Sequence, residues 1–331
     1  MPEHRAPAWG LGLDVGGSAS RWALVSRDTP AGQAVLQGEL PGLTGLLLDA
    51  DAGRAAWSQA LAPLAATLVA AEGGPLHGVS LRVLAGVTGL GAGTPAAGLA
   101  QQLLATALAV PASQLVVTGD IDLACDVLLP RGEGVLLYAG TGSIAVHRDA
   151  QGVLHRAGGR GFLLDDAGGG HWIAREALRG IWRGEDAAPG SGAQSRLARC
   201  VFEQLGGSDW SVSRDRIYRA SRGELGLLSL AVARAARAEH GQPGDRRAQA
   251  LLRRAGTELA DVACRLLARV GAQPVVLAGR AFDLHPLVES AARRRLAQAI
   301  RRFGWPPFGV SRTQDAVHLL AAHRAVQGQS G

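Results

Sequence analysis

Short apolar runs that end in glycine or aspartate recur along the chain. Runs of this kind, about four to eight residues long, are typical of buried β-strands. The pattern predicts strands at Leu11–Val15, Ala19–Val25, Gly78–Ala85, Leu115–Thr118, Val135–Tyr138 and Pro274–Leu277.

Helical patterns, with apolar residues mostly three or four positions apart, separate these runs. Alternating strands and helices indicate an α/β fold. Residues 184–224 contain patches of glycine, serine and aspartate and show no recognisable chemistry. The pattern predicts helices at Trp57–Ala71, which Pro63 interrupts, at Gln101–Ala109, at Arg246–Val270, from Pro286, and at Thr313–Val326.

A strand, a glycine-rich turn and a second strand occur in this order twice, at Leu11–Val25 and Val135–His147. The repetition predicts a duplicated fold. Glycines allow close backbone approach, and a turn of free backbone N–H groups can bind phosphate. For the first turn alone, an ordinary Gly-Gly hairpin is the simpler explanation. The two turns are Gly16-Gly17-Ser18 and Ala139-Gly140-Thr141-Gly142-Ser143.

Two carboxylates lie beside these turns. Asp14 precedes the first turn, and a carboxylate in this place suits a hydrated Mg²⁺ and the phosphates that it carries. Asp120 ends the apolar run Leu115–Thr118, and a base beside a phosphate-binding loop outlines a phosphoryl-transfer site. Asp122 is the alternative base, but it fits the first turn of a helix better.

A glycine-rich segment with two adjacent carboxylates, Asp165 and Asp166, leads into a helix within Gly158–Arg175. Helix N-termini favour polar or anionic ligands. Capping of the helix and compensation of its dipole explain the same residues. Both interpretations stay open at this point.

Composition limits the possible functions. The chain is 47% hydrophobic and 19% charged, so it is expected to fold, and no apolar run reaches the ~18 residues of a membrane span. It contains no lysine, which excludes Schiff-base chemistry and a GxxxxGK[ST] P-loop. The net charge of +6 comes from arginine, and arginine-rich helices such as Ala291–Arg302 are better explained as solvated faces than as nucleic-acid sites.

The expected location is the cytoplasm. The first residues show no apolar segment of a secretory signal. Cys125, Cys200 and Cys264 are widely scattered without metal-type spacing, which fits a reducing compartment. No membrane or nucleic-acid partner is predicted.

In order and spacing, the motifs resemble those of the sugar kinase and actin superfamily. Within it, they resemble the BadF/BadG/BcrA/BcrD group, which includes N-acetylglucosamine kinases. Asp14–Ser18 resembles the first phosphate motif of the group and Ala139–Ser143 the second. Ala278–Phe282 is similar to its adenosine motif, and Thr118–Asp120 to the position of its catalytic aspartate. Gly158–Ala177 is similar to its GGWG…GDEGS…IG.EAL segment, so the resemblance covers nearly the whole chain.

The resemblance implies an α/β protein with two ribonuclease H-like, actin-like ATPase domains around a central ATP cleft. The domains would be residues 1–118 and 119–312, with the last helix, 313–328, packing back on the first. It implies ATP and Mg²⁺ as cofactors, Asp120 as general base and Asp14 as metal ligand. It further implies phosphate binding by Gly16, Gly17, Ser18, Gly140, Thr141, Gly142 and Ser143, adenosine binding by Gly279 and Arg280, and sugar binding by Gly89, Gly159, Arg160 and Asp166.

The implied function is ATP-dependent phosphorylation of a hydroxyl on an amino sugar, such as N-acetylglucosamine or glucosamine, by a homodimer. Three departures bear on the substrate. Arg160 stands where family kinases usually have tryptophan, Asp165–Gly169 replaces their Gly-Asp-Glu-Gly-Ser, and the chain lacks asparagine, which such kinases use. A guanidinium at Arg160 suggests, as a hypothesis, a carboxylated or phosphorylated substrate. ATP binding is therefore better supported than the identity of the sugar.

Two other functions are considered. Relatives in this group include ATPases that activate a radical dehydratase or reductase and hold an iron–sulfur cluster through cysteines beside glycine-rich loops. The three cysteines here lie in helical or apolar contexts typical of inert thiols, which disfavours this function. The other alternative is a sensor that binds nucleotide or sugar without catalysis, and Asp120 argues against it.

Overall fold

The computed structural model describes residues 9–17, 19–70, 81–91, 93–190, 194–239, 241–314 and 316–327. They belong to two compact units, residues 1–130 with 315–331 and residues 131–314. Ser18 and residues 78–80, the beginning of one predicted strand, lie outside the described residues.

Strands and helices alternate over most of the chain. The strands are β1 (Trp9–Val15), β2 (Ala19–Ser26), β3 (Leu36–Pro41), β4 (Leu81–Val87), β5 (Leu115–Gly119), β6 (Val135–Ala139), β7 (Ser143–Arg148), β8 (Leu154–Gly158), β9 (Val275–Ala278) and β10 (Val310–Arg312). The helices are α1 (Asp51–Ala70), α2 (Pro95–Leu108), α3 (Asp120–Leu128), α4 (Gly170–Ala187), α5 (Arg196–Leu205), α6 (Trp210–Arg219), α7 (Arg222–Ala236), α8 (Arg246–Val270), α9 (Pro286–Phe303) and α10 (Val317–Val326).

Each unit contains a five-stranded mixed sheet of the same topology. In the first unit the order is β3-β2-β1-β4-β5, with β2 antiparallel to β1 and β3, and β4 parallel to β1 and β5. In the second the order is β10-β9-β6-β7-β8, and β6 takes the central place of β1. The predicted α/β fold and its duplication are confirmed.

The core of the first unit lies between its sheet and the helices α1 and α2. Leu11 and Leu13 of β1 are fully buried there, together with Leu61 of α1 and Leu104 of α2. The opposite face of β1 and β2 is covered by α10. Alternation of side chains along β2 thus serves two cores at once, with Trp22 and Leu24 in the first and Ala23 and Val25 in the second.

Two glycines of β1 determine how closely α10 approaches. A side chain at Gly10 would collide with the carbonyl of Ala322, and one at Gly12 with the carbonyl of His318. The backbones of strand and helix are therefore in direct contact. Gly256 plays the same part in the second unit, where α8 meets the carbonyl of Val288 in α9.

The core of the second unit is built around α8, which packs against β6, β7 and β8. Leu252, Leu259 and Leu266 lie on its buried stripe and have no exposed surface. The remaining sides of α8 contact α4, α7 and α9. Its bounds are those that the apolar spacing predicts.

The segment without recognisable chemistry, residues 184–224, holds α5, α6 and the start of α7. Its polar patches are helix caps, because Ser195, Asp209 and Ser221 each accept a hydrogen bond from a backbone N–H of the first turn. The edge strands β3, β8 and β10 were also not predicted. They are short and only partly buried, so they lack an apolar run.

The compact units divide after Pro130, whereas the sequence analysis placed the division at residue 118. The difference arises because α3 packs against β4 and α10. Arg324 of α10 donates a hydrogen bond to the carbonyl of Asp126 in α3. Within the described ranges, every helix is too short or too polar to cross a membrane.

We expect Gly12→Ala to destabilise the first unit by ~1–3 kcal/mol, because the added methyl group overlaps the backbone of α10. Gly98→Ala is the matched control, since a methyl group there meets no atom within 4 Å on an exposed face of α2. It should be stabilising by ~0.5–1 kcal/mol through helix propensity. Thermal unfolding of the two variants measures both effects. Equal midpoints would show that α10 does not contact β1 as described.

Candidate active site

In the first unit, the predicted site residues follow three neighbouring parallel strands. The register aligns Val15 with Val87, and Val87 with Gly119, so β1, β4 and β5 end at one edge of the sheet. This edge carries Asp14, the turn residues Gly16 and Gly17, Gly89 after β4, and Asp120 after β5. Ser18, the last predicted phosphate contact of this turn, lies outside the described residues.

Asp120 is the first residue of α3 and is partly exposed. Its Oδ1 accepts a hydrogen bond of 3.0 Å from the N–H of Ile121. Burial raises the pKa of the Asp120 carboxyl above its ordinary value, although hydrogen bonds from Ile121 and the Thr88 hydroxyl act in the opposite direction. A carboxylate with a raised pKa is the better proton acceptor.

Thr88 is a residue that the sequence analysis missed. Besides its side-chain bond to Asp120, its N–H donates to the carbonyl of Val15 at 2.9 Å, and its carbonyl accepts from the N–H of Gly45 at 2.9 Å. A Cβ at Gly17 would lie 3.7 Å from the Thr88 methyl group. Thr88 therefore connects the first glycine turn with the candidate base. The only signal in the sequence was its position at a strand end within a glycine-rich loop.

Gly89 has a positive φ of 78° and lies against the segment after β3. A Cβ there would be 2.9 Å from the Thr44 hydroxyl oxygen and 2.9 Å from Leu46 Cγ. The Thr44 hydroxyl donates to the carbonyl of Thr88 at 3.3 Å. The structure thus brings this predicted sugar contact close to Thr44 and Thr88.

Asp14 lies on β1, opposite Arg21 of β2 and Gly86 of β4. Among the described residues, no group of three His, Cys, Asp or Glu side chains is arranged to hold a metal ion. A single carboxylate beside a phosphate-binding turn still fits Mg²⁺, which is usually held by one or two carboxylates, phosphate oxygens and water. Asp14 is therefore compatible with the predicted role of metal ligand.

In the second unit, the loop Gly140–Gly142 joins β6 to β7 and rests on the start of α4. The N–H of Gly170 donates to the carbonyl of Gly140 at 2.9 Å, and the N–H of His171 donates to the carbonyl of Thr141 at 3.0 Å. Within the loop, the N–H of Gly140 donates to the carbonyl of Gly142 at 2.9 Å. The first amides of α4 thus fix the carbonyls of the predicted second phosphate loop.

The predicted sugar-binding loop, residues 159–166, is hydrogen-bonded to Ser143, the first residue of β7. The N–H of Gly159 donates to the carbonyl of Ser143 at 3.0 Å, and the Ser143 hydroxyl donates to the carbonyl of Ala167 at 2.7 Å. Gly159 and Arg160 are exposed. Ser143 therefore holds both ends of this loop, besides ending the phosphate loop.

Asp166 is enclosed, unlike Gly159 and Arg160, since only 3% of its surface is exposed, and its φ is positive, 55°. Its Oδ2 lies 2.5 Å from a guanidinium nitrogen of Arg222, and its carboxylate accepts from the N–H groups of Ser143 and Gly161. Burial raises the pKa of Asp166, and the charge of Arg222 acts against that rise. Arg222 was also missed in the sequence analysis, because it lies in the segment without recognisable chemistry.

Gly279 lies beside the phosphate loop because β9 pairs in parallel with β6. Its φ is positive, 95°, and a side chain there would collide with the carbonyl of Ala139, which precedes the loop. Arg280 follows and is exposed. The predicted adenosine and second phosphate motifs are therefore adjacent within this unit.

The three cysteines are buried on the helices α3, α5 and α8. Burial raises the pKa of the Cys264 thiol to about 11. Buried thiols of this kind are unreactive, and thiolates are the form that binds iron. Cys125, Cys200 and Cys264 therefore do not favour an iron–sulfur function.

Comparison with known proteins agrees with this fold. The chain is similar in structure to a proposed N-acetylglucosamine kinase of Chromobacterium violaceum, with a TM-score of 0.68, 23% identity, and coverage of 98% of this chain and 100% of that one. It is also similar to a ROK family glucokinase of Streptomyces griseus in complex with glucose and AMPPNP, with a TM-score of 0.59, 16% identity, and coverage of 97% and 100%. At these identities the likeness establishes the fold.

A curated relative matches over a shorter stretch. An N-acetylmuramic acid/N-acetylglucosamine kinase of Clostridium acetobutylicum is 30% identical over 73 residues, which are 22% of this chain and 24% of that kinase. The profile of one protein family matches far more of the chain, residues 11–302. The chain therefore belongs to the BadF/BadG/BcrA/BcrD ATPase family.

Proposed function

We propose that the protein transfers the terminal phosphoryl group of ATP to a hydroxyl of a sugar. The acceptor we expect is an amino sugar such as N-acetylglucosamine or glucosamine. The observation that carries the proposal is the Asp120 carboxyl, which has a raised pKa and shares one sheet edge with the Gly16–Gly17 turn. Membership of an ATPase family and the sugar-kinase fold support it.

Asp120 acts as general base in this proposal. Its ionised carboxylate accepts the proton of the sugar hydroxyl while the sugar oxygen forms a bond to the terminal phosphorus. The bond from that phosphorus to the bridging oxygen breaks, and ADP leaves with the bonding electrons. Thr88 holds the carboxylate in place through its hydroxyl.

The nucleotide is proposed to bind through backbone groups and one carboxylate. Gly16, Gly17 and Ser18 are proposed to bind phosphate, and so is the loop Gly140–Ser143. Asp14 would hold a hydrated Mg²⁺, which when bound neutralises charge on the phosphate oxygens. The adenosine part would lie at Gly279 and Arg280, beside the second phosphate loop.

Sugar binding is proposed for Gly89, Gly159, Arg160 and Asp166. Gly159 and Arg160 are exposed, so a ligand can reach them. Asp166 is enclosed, and its Oδ2 is bonded to Arg222. A direct sugar contact from Asp166 would therefore use its other carboxylate oxygen.

Replacing the base should separate chemistry from binding. We expect Asp120→Asn to lower kcat by ~100-fold or more, because an amide cannot accept the proton. ADP release across a panel of amino sugars, neutral sugars and sugar acids measures this effect and identifies the acceptor. The matched control is Asp122→Asn on the same helical turn, which should retain turnover. Loss in the control alone would assign the base to Asp122.

The pH profile of kcat/KM offers a second check on Asp120. Activity requires the ionised carboxylate, so it should fall as the pH drops through the raised pKa of Asp120. Thr88→Val removes a hydrogen bond that lowers this pKa, so the acid limb should move to higher pH. Thr67→Val removes an exposed hydroxyl on α1 and should leave the profile unchanged. An unmoved acid limb in Thr88→Val would contradict the assignment of the base.

Arg160 tests the substrate class. If its guanidinium contacts an anionic group, Arg160→Trp should lower kcat/KM for sugar acids or sugar phosphates relative to neutral amino sugars. Arg156→Trp, an exposed arginine on β8, is the control. Unchanged preference in Arg160→Trp would remove the hypothesis of an anionic substrate while leaving the kinase reaction untouched.

A further inference from the structure

The first turn of α7 is fixed by its own hydrogen bonds. The Ser221 hydroxyl accepts from the N–H of Glu224 at 3.3 Å, and the Glu224 carboxylate accepts from the N–H of Ser221 at 2.7 Å. This reciprocal cap sets where the helix begins. Arg222 is the first residue of α7, so the cap also fixes the backbone position from which the Arg222 side chain extends.

The same turn lies against the second phosphate loop. A Cβ at Gly142 would collide with the Arg222 guanidinium and would lie 2.6 Å from Asp166 Oδ2. One turn further on, a Cβ at Gly226 would lie 3.1 Å from the Thr141 methyl group. The start of α7 therefore covers the middle of the loop, and Gly142 leaves the space that the ion pair fills.

The ion pair joins an enclosed carboxylate to a partly exposed guanidinium. Asp166 is 3% exposed and the Arg222 side chain 39% exposed, and their closest atoms are 2.5 Å apart. Because Asp166 also accepts from Ser143 and Gly161, it joins the end of the phosphate loop to the sugar-binding loop. A buried carboxylate stays ionised only where a cation and N–H donors compensate its lost hydration.

The guanidinium of this ion pair also contacts an aromatic ring. Arg222 lies 5.8 Å above the ring of Phe162, and Phe162 meets His171 edge to face at 5.0 Å. The Nε of Arg222 is buried without a hydrogen-bond partner. A buried N–H without an acceptor destabilises the folded protein, and the bond between Arg222 and Asp166 offsets this cost.

We propose that Arg222 is a positioning residue whose ion pair with Asp166 holds the loop Gly140–Ser143 in the geometry that binds nucleotide phosphate. The inference rests on the proposed function, because it assumes that this loop binds ATP. Arg222 acts through Asp166 and the loop amides, and it takes no part in the phosphoryl transfer itself.

The charges around Asp166 determine how this pair responds to pH. Arg222 of α7 favours the ionised carboxylate, and the neighbouring Asp165 disfavours it. His171 of α4 lies near Arg222, and the charges of Arg222 and Arg175 both disfavour protonation of its ring. Loss of Arg222 leaves burial and Asp165 to raise the pKa of Asp166 further. The carboxyl then takes up a proton as the pH falls, and its bonds to the loop amides weaken.

The experiment measures binding of magnesium AMPPNP to the full chain by calorimetry across the acid to neutral range. In Arg222→Gln we expect the affinity to fall about tenfold or more, which is the effect of losing a hydrogen bond to a charged group. The loss should grow as the pH is lowered. Arg222→Lys should recover part of the affinity, because it restores the charge.

Two further variants make the result specific. Arg222→Gln combined with Asp166→Asn removes both charges, so the difference between its affinity and that of the unmodified protein should no longer depend on pH in this range. Arg219→Gln removes an 81% exposed arginine three residues earlier and should behave as the unmodified protein. Thermal unfolding of each variant identifies any that fail to fold, and the lysine variant then carries the comparison.

The outcomes separate this inference from the proposed function. If the unmodified protein binds no AMPPNP, the proposed function fails. If it binds and Arg222→Gln binds equally well at every pH, the inference is wrong. A loss in Arg222→Gln that is independent of pH and is not recovered by lysine would also overturn it, since that result indicates a packing role only.

Discussion

In each sheet the central strand pairs in parallel with a neighbour, β1 with β4 and β6 with β9. This parallel pairing determines where the polar side chains at the strand ends can meet. Because β1, β4 and β5 run in one direction, Asp14, Thr88 and Asp120 emerge at the same edge. The pairing of β6 with β9 does the same for the loop Gly140–Ser143 and Gly279. A slip of one residue in either register would turn these side chains to the opposite face. The apolar cores that set the register therefore also set the candidate site.

Direct contact between backbones is the second feature common to both units. Gly12 admits α10 against β1, Gly256 admits α9 against α8, and Gly142 admits an ion pair against the phosphate loop. In the first two places the neighbour is a backbone carbonyl, and in the third it is the pair of charges. The 46 glycines of the chain thus include positions chosen for space rather than for flexibility.

Much of the fold could be predicted because its signals are local. Apolar spacing gave α8 the bounds found in the structure, and strand-end glycines marked the loops of the candidate site. Thr88 and Arg222 could not be predicted in this way. Arg222 meets a carboxylate 56 residues earlier in the chain, through a contact that exists only once α7 has packed on α4. The helices α5 to α7 were missed because their capping serines and aspartate resemble loop residues.

The position of α10 in the chain has a consequence for synthesis on the ribosome. Residues 131–314 form the second unit as one continuous stretch, so this unit can fold as soon as it has emerged. The first unit needs α10 to cover β1 and β2, and α10 is synthesised almost 200 residues after β5, the last strand of its sheet. Until then the apolar face of β2 around Val25 is uncovered. The half of the protein that is made first therefore completes its folding last, and its nascent sheet exposes apolar surface until α10 has been synthesised.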